Sequence, residues 1–221
     1  MLLQTSLLGN PNVGIFAKSS DRFCLLGLPA QEQKFEQALK VPVLRASLGE
    51  SGLVGIFCVV NSHGILLSKL VTPGETAKIL ALAKEFGVQA AILQTRYTAI
   101  GNLIACNDHG ALVSELLSPK EREKVEDALG VEVVCTRIGN SKLVGACCVA
   151  NSKGCLLHRD ASEEEISLAE NLLKVEADIG TLNFGSPWVG ACCVANSFGV
   201  VLGETTTPPE LVRLQEALKL L

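Results

Sequence analysis

Apolar and polar positions fall into blocks along the chain, and the blocks recur. In the clearest case an apolar run, Ile56 to Val60, meets a polar turn, Asn61-Ser62-His63-Gly64, and then a second apolar run, Ile65 to Leu67. That order predicts a β-hairpin, with Asn and Ser side chains closing the turn and Gly64 taking positive φ. The block containing it reads VGIFCVVNSHG from Val54. It returns as IGNLIACNDHG from Ile100, VGACCVANSKG from Val144, VGACCVANSFG from Val189 and, in worn form, VGIFAKSSDRF from Val13. The first glycines are Gly14, Gly55, Gly101, Gly145 and Gly190, 41 to 46 residues apart. A fixed period of this size marks a repeat architecture. Phe23 stands where the other copies have Gly64, Gly110, Gly154 and Gly199, so the first turn is expected to differ.

Each hairpin is followed by helix signals. Ser118-Pro119 with early acids opens a helix that Gly130 stops, and Thr72-Pro73 opens one that Gly87 stops. Ser162 with Glu165 has the spacing of a capping box, and Thr207-Pro208 starts the last helix. The earliest is expected over Pro29 to Lys40. A strand follows each of the first four helices: Val41 to Leu48, Val88 to Thr95, Val131 to Ile138 and Val175 to Leu182. The fifth helix has no strand after it, and the N-terminus has one too many, Leu2 to Leu8. The economical account is a ring in which the first strand completes the last unit and leaves no open edge at the join. This predicts one domain, 1–221, with repeats near 9–48, 49–95, 96–138, 139–182 and 183–221, strand 2–8 belonging to the last.

Composition narrows the class. Of 221 residues, 48% are apolar and 19% charged, which suits a buried core and argues against disorder. The formal charge of −4 argues against a protein that grips nucleic acid through phosphates alone and favours a basic protein partner or a small local RNA contact. The first residues lack the pattern of a signal peptide, and no segment is long enough to cross a bilayer. A cytoplasmic setting with free thiols is expected for the nine cysteines.

The cysteines occupy repeat slots that elsewhere hold Ala, Ile, Phe and Leu: Cys58, Cys148 and Cys193 align with Ala17 and Ile104. That is the behaviour of small buried hydrophobes. No CxxC pair accompanies them, so no metal and no cofactor is expected. His63 and His109 share a turn slot and read as solvated. His158, two residues before Asp160, reads as a surface histidine. The break in symmetry is Asn102, in a slot otherwise held by Ile15, Ile56, Ala146 and Ala191. Just before it, Arg96 and Tyr97 are of types that anchor interfaces. Arg45, a lone basic residue on a strand, is a further candidate. Structural and binding readings both stand for this patch.

The stretch AIGNLIACNDHGALV, Ala99 to Val113, resembles the third-repeat signature of the translation initiation factor 6 family in its archaeal form. Gly14 to Lys18, Val54 to Leu67 and the five-unit layout with its extra first strand extend the resemblance over the whole chain. The resemblance implies an α/β (α+β) pentein fold, a closed five-bladed propeller, acting as a cytoplasmic monomer. It implies a factor that binds the large ribosomal subunit, mainly through a uL14-type ribosomal protein near the sarcin-ricin loop, and keeps the small subunit away. A role in large-subunit biogenesis also follows, with no membrane partner and no catalysis. The family's binding asparagine matches Asn102, while Asn107 and Asp108 look like turn formers. Two departures stand out. Eukaryotic members extend beyond the fifth helix, and they place a basic residue where this chain has Ile56. The competing class is a pentein enzyme that modifies guanidino groups through a reactive cysteine, which requires paired acids and an electropositive thiol environment that the apolar cysteine slots do not supply.

Overall fold

The computed structural model describes residues 1–28 and 31–221, so Pro29 and Ala30, where the first helix is expected to begin, lie outside the described residues. The chain opens with β1 (Leu2–Thr5). Then come β2 (Ala17–Ser19), β3 (Cys24–Leu26), α1 (Glu32–Leu39) and β4 (Val43–Arg45). The second unit is α2 (Val54–Phe57), β5 (Cys58–Val60), β6 (Gly64–Ser68), α3 (Pro73–Phe86) and β7 (Gln89–Leu93). The third is β8 (Ile104–Cys106), β9 (Gly110–Ser114), α4 (Pro119–Leu129) and β10 (Glu132–Thr136), and the fourth is β11 (Cys148–Ala150), β12 (Gly154–His158), α5 (Glu163–Leu173) and β13 (Glu176–Gly180). The last is α6 (Val189–Cys192), β14 (Cys193–Asn196), β15 (Gly199–Gly203) and α7 (Pro208–Ala217).

The described residues form five three-stranded sheets, each an antiparallel hairpin plus one parallel outer strand. In the last sheet the outer strand is β1, paired in parallel with β15 from Leu2–Val200 to Thr5–Gly203. The first apolar run of each motif is split. Its beginning is a helical or 3-10 turn, as in Val54–Phe57 and Ile100–Asn102, and only its end is strand.

The core lies between blades. On β6, Ile65 and Leu67 pack with Phe23 and Leu25 of the preceding blade, while Leu66 packs with Leu103 and Val113 of the next. On β15, Val200 and Leu202 face one seam and Val201 the other. Successive strand side chains point to opposite faces, and both faces are covered, so central strands are apolar without alternation. Each blade is thus sandwiched, and the arrangement is a five-fold pseudo-symmetric, pentein-like ring.

Two circuits lock it. A Cβ at Gly55 would overlap the carbonyl of Gly14. The same holds for Gly101 on Gly55, Gly145 on Gly101, Gly190 on Gly145 and Gly14 on Gly190. These glycines let five backbones touch around the axis. The second circuit uses the turn asparagines. Asn107 Oδ1 accepts from the His109 and Gly110 amides (2.9 and 3.1 Å), which closes its own turn. Its Nδ2 donates to Asn151 O (3.1 Å) and Leu173 O (2.8 Å) of the next blade. Asn61, Asn151 and Asn196 repeat the pattern. Asn107→Ala removes all four bonds and leaves buried carbonyls unmatched. It is expected to cost about 3 kcal/mol, read as a lower urea midpoint at an unchanged m-value.

The hairpin-turn glycines correct an expectation. Gly64, Gly110, Gly154 and Gly199 are absent from the positive-φ residues. Their slot is glycine because the next blade's helix presses on it: a Cβ at Gly64 would strike Ala128 O, and one at Gly199 would strike Ala38 O. Nor does Phe23 change the turn, since the Arg22 and Phe23 amides still donate to Ser20 Oγ. Its ring occupies the space where a helix end would lie and packs on Phe86 instead (5.2 Å between centroids). Helix α3 accordingly stands off from β3 and β4, whereas α1, α4, α5 and α7 lie close against the preceding sheet. Ser20 is too short to bridge that seam. Arg22 does so instead, donating to Ser62 O (3.2 Å) and Phe86 O.

The capping box read at Ser162 forms, and the helix starts read at Thr72, Ser118 and Thr207 carry capping boxes as well. Their glutamates have a second task. Glu75 also accepts from Ser47 Oγ (2.8 Å) and the Gly49 and Glu50 amides (2.9 and 3.0 Å). Glu210 also accepts from Thr181 Oγ1 (2.8 Å) and the Phe184 and Gly185 amides (3.2 and 2.8 Å). The helix cap thereby fixes the loop that enters the blade. Burial alone would raise these carboxyl pKa values, but the hydrogen bonds outweigh it and hold Glu75, Glu121 and Glu210 below the ordinary range. A folded-state pKa below the unfolded one means stability fully present above about pH 4.3 and lost as pH falls through the folded values. The unfolding midpoint is therefore expected to drop between pH 5 and pH 3, and a Glu75→Gln/Glu210→Gln variant to show a shallower drop over that window.

Candidate functional site

The axis is the first place to look for chemistry, and it is narrow. A cavity of about 50 Å³ there is lined by Lys18, Ser19, Cys106, Cys148, Cys193 and apolar neighbours. The thiols are poorly suited to attack. Burial pushes Cys58 and Cys106 up to about 12 and Cys147 to about 11, and it also raises Cys24 and Cys193. Cys148 is raised, first by its contact with Cys155 Sγ (3.5 Å) and then by burial. A thiolate nucleophile needs the opposite environment. Among the described residues no group of three or more His, Cys, Asp or Glu is placed to hold a metal.

The histidines divide. His63 and His109 are exposed in hairpin turns. His158 is buried at 6% exposure, a correction to its reading as a surface residue. It sits edge-on to Trp188 (5.7 Å) and accepts at Nδ1 from the Asp160 amide (3.1 Å). Burial lowers its pKa. The Asp160 backbone amide fixes the ring, while the Asp160 carboxylate stays 3.8 Å from Nδ1.

The ring has two faces. One carries the hairpin turns, with Arg22, His63, His109, Lys153 and Phe198 exposed. Asn107 and Asp108 belong here. Asp108 accepts from the Ser62 amide and hydroxyl (both 2.7 Å). The other face carries the loops that enter each motif, and Asn102 belongs to it. Asn102 ends the turn Ile100–Asn102 beside Gly101 of the glycine circuit, and its carbonyl accepts from the Gly145 amide (2.9 Å). Ala146 O and the Gly190 amide make the same bond one blade on (2.9 Å). The Asn102 backbone is thus fixed across a blade seam, while its partly exposed side-chain amide makes no hydrogen bond among the described residues. The equivalent slots hold Ile15, Ile56, Ala146 and Ala191, so the fold does not require an amide there.

The other candidates are not gathered round Asn102. Arg96 and Tyr97 lie further out, in the loop leading to the same turn. The Arg96 guanidinium stacks over the Tyr97 ring (4.7 Å), and Tyr97 packs against the blade core. With Glu115, Ser118, Glu121 and Arg122 they line an open groove. Arg45 sits on the outer strand β4, paired with Glu32 (2.5 Å), and lines a separate groove between β4 and α3. What sequence reading missed on the loop face is the pair of exposed apolar tips, Leu8 and Phe184. Gly9 and Gly185 beside them mark the turns but do not show which residue shares the left-handed backbone.

The ring thus offers, on its loop face, an amide that makes no hydrogen bond among the described residues and sits on a fixed backbone. Sequence comparisons give the family. The profile of the eIF-6 family matches residues 2–217. The chain is 42% identical over 217 residues to translation initiation factor 6 of Pyrococcus abyssi, covering 96% of each chain. It is 37% identical to that of Thermoplasma acidophilum, covering 99% of this chain and all of the relative. It is 34% identical over 184 residues to eukaryotic translation initiation factor 6-1 of Arabidopsis thaliana, covering 80% of this chain and 74% of the relative. The chain belongs to the eIF-6 family and is a translation factor of archaeal type. No helix among the described residues is long and apolar enough to cross a membrane.

Proposed function

We propose that this protein binds the large ribosomal subunit through its loop face and prevents the small subunit from joining by occupying the joining surface. The observation that carries this is Asn102: an amide with no hydrogen-bond partner among the described residues, in an otherwise apolar slot, on a backbone fixed across two blades. A pre-positioned polar group can be matched by a partner at little ordering cost. The partner we infer is a uL14-type ribosomal protein near the sarcin-ricin loop. The net charge of −4 suits a basic protein, with complementary charge speeding encounter. Arg96 and Tyr97 lie on the same face and are placed in the periphery of this contact. Arg45, on the outer strand, is placed outside it.

The mechanism is exclusion by volume. A ring of 221 residues, held as one domain by its glycine and asparagine circuits, does not yield when a second subunit approaches. No bond is made or broken, so we assign no catalytic residue and no cofactor, and we place the protein in the cytoplasm as a monomer, with a part in large-subunit biogenesis. The raised thiols support this reading over a guanidino-modifying enzyme. Gradient sedimentation with separately purified subunits tests it. The protein should travel with the large subunit alone. Sedimentation with the small subunit, or with neither, contradicts the proposal.

A further inference from the structure

Two of the loops on the Asn102 face carry residues that their backbone disfavours. Leu8 and Phe184 have φ of 53° and 61°, the left-handed region that suits Gly, Asn or Asp. The matching tips elsewhere are Gly49-Glu50 and Gly139-Asn140, which include the expected types. Neither apolar side chain gains burial in exchange, since Leu8 is 84% exposed and Phe184 83%. The two loops are tied together. Asn183 Nδ2 donates to Pro11 O (2.9 Å) and Asn12 Oδ1 (3.2 Å), and Glu210 holds the Phe184 and Gly185 amides. An unfavourable backbone, clamped by hydrogen bonds to present bare apolar groups, points to a function for those groups.

The charges nearby indicate the partner. Residues 1–17 and 179–212 contain no Lys or Arg. Exposed Glu204 lies beside these loops, where its amide donates to Thr5 O (3.0 Å). Two cations of the face, Arg137 and Lys142, are both held by Glu115 (2.5 and 2.7 Å). Loops without Lys or Arg beside an exposed acid are a poor match for a phosphate backbone and a good one for a protein that has an apolar hollow and basic surroundings.

We propose that Leu8 and Phe184 form a second anchor of the interface centred on Asn102, seated in an apolar hollow of a basic protein of the large subunit rather than on its RNA. This rests on the large-subunit reading given above. The test is a Leu8→Gly/Phe184→Gly variant, since glycine accepts the left-handed backbone and keeps the loops folded. Fluorescently labelled wild type, this variant and Asn102→Lys are titrated with purified large subunits, and unfolding midpoints are recorded alongside. The double variant should bind at least 10-fold more weakly with a midpoint equal to or above that of wild type. Wild-type affinity in the double variant, with affinity lost in Asn102→Lys, overturns the second anchor and leaves the large-subunit reading intact. Equal failure of all three, wild type included, overturns both. Weaker binding of the double variant to protein-free large-subunit RNA would put the contact on RNA and overturn the assignment to protein.

Discussion

Replacing Gly101 by alanine is expected to leave little folded protein at ordinary temperatures. The added Cβ would collide with the Gly55 carbonyl and lie close to that of Cys58. Both are backbone atoms in fixed turns, so no side chain can swing aside. Gly101 in turn presents its own carbonyl to Gly145, so displacement at one seam is passed to the next and round a closed circuit. Overpacking usually costs 1–3 kcal/mol because neighbours adjust. Here they cannot, and the expected cost is about 4 kcal/mol or more, a fall in unfolding midpoint of about 10 °C or more. Gly74→Ala is the control. Gly74 lies in the first turn of α3 with nothing within 4 Å of an added Cβ, and its midpoint should stay within the error of wild type or rise slightly.

Asn102→Lys should do the reverse, leaving the fold intact and removing function. Only the Asn102 backbone takes part in the inter-blade bond, and its side chain is partly exposed. Stability should change by less than about 0.5 kcal/mol. Affinity for the large subunit should fall about 100-fold or more, because the substitution removes a pre-positioned amide and sets a positive charge against a basic partner. Equilibrium binding measured beside thermal unfolding separates the two effects. A variant that unfolds early would place Asn102 among the structural residues instead.

The contrast between Gly101 and Asn102 shows what a sequence of this kind reveals. Local chemistry was legible. The helix starts at Thr72, Ser118, Ser162 and Thr207, with the capping box at Ser162, are legible, because a cap is a contact between residues three apart. The ring closure by β1 was legible too, since a surplus strand at one end matched a missing one at the other. The reason for each glycine was not. Gly64 looked like a turn residue and is a landing site for α4, a fact set by a helix more than 50 residues away. Phe23 looked like a changed turn and is a spacer between a helix and a sheet. His158 looked exposed from its acidic neighbour, but it ends a central strand covered on both faces. Arg45 was one basic residue on one strand, and nothing in the sequence said that its strand was the outermost. Asn102 stands out in the sequence because the repeat supplies four internal controls for its slot. The exposed left-handed tips at Leu8 and Phe184 are not legible, because left-handed backbone leaves no mark on residue type when it is occupied by an unsuited residue.

Subunit joining measures occlusion directly. Purified large and small subunits are mixed at a magnesium concentration that normally supports joining, and light scattering follows particle formation as this protein is added. The account predicts that joined particles disappear at about one protein per large subunit, that pre-joined particles resist for as long as they stay closed, and that Asn102→Lys at the same concentration has no effect. Normal joining with the wild-type protein bound to every large subunit would contradict it, because a ring seated anywhere but the joining surface leaves the second subunit free to dock.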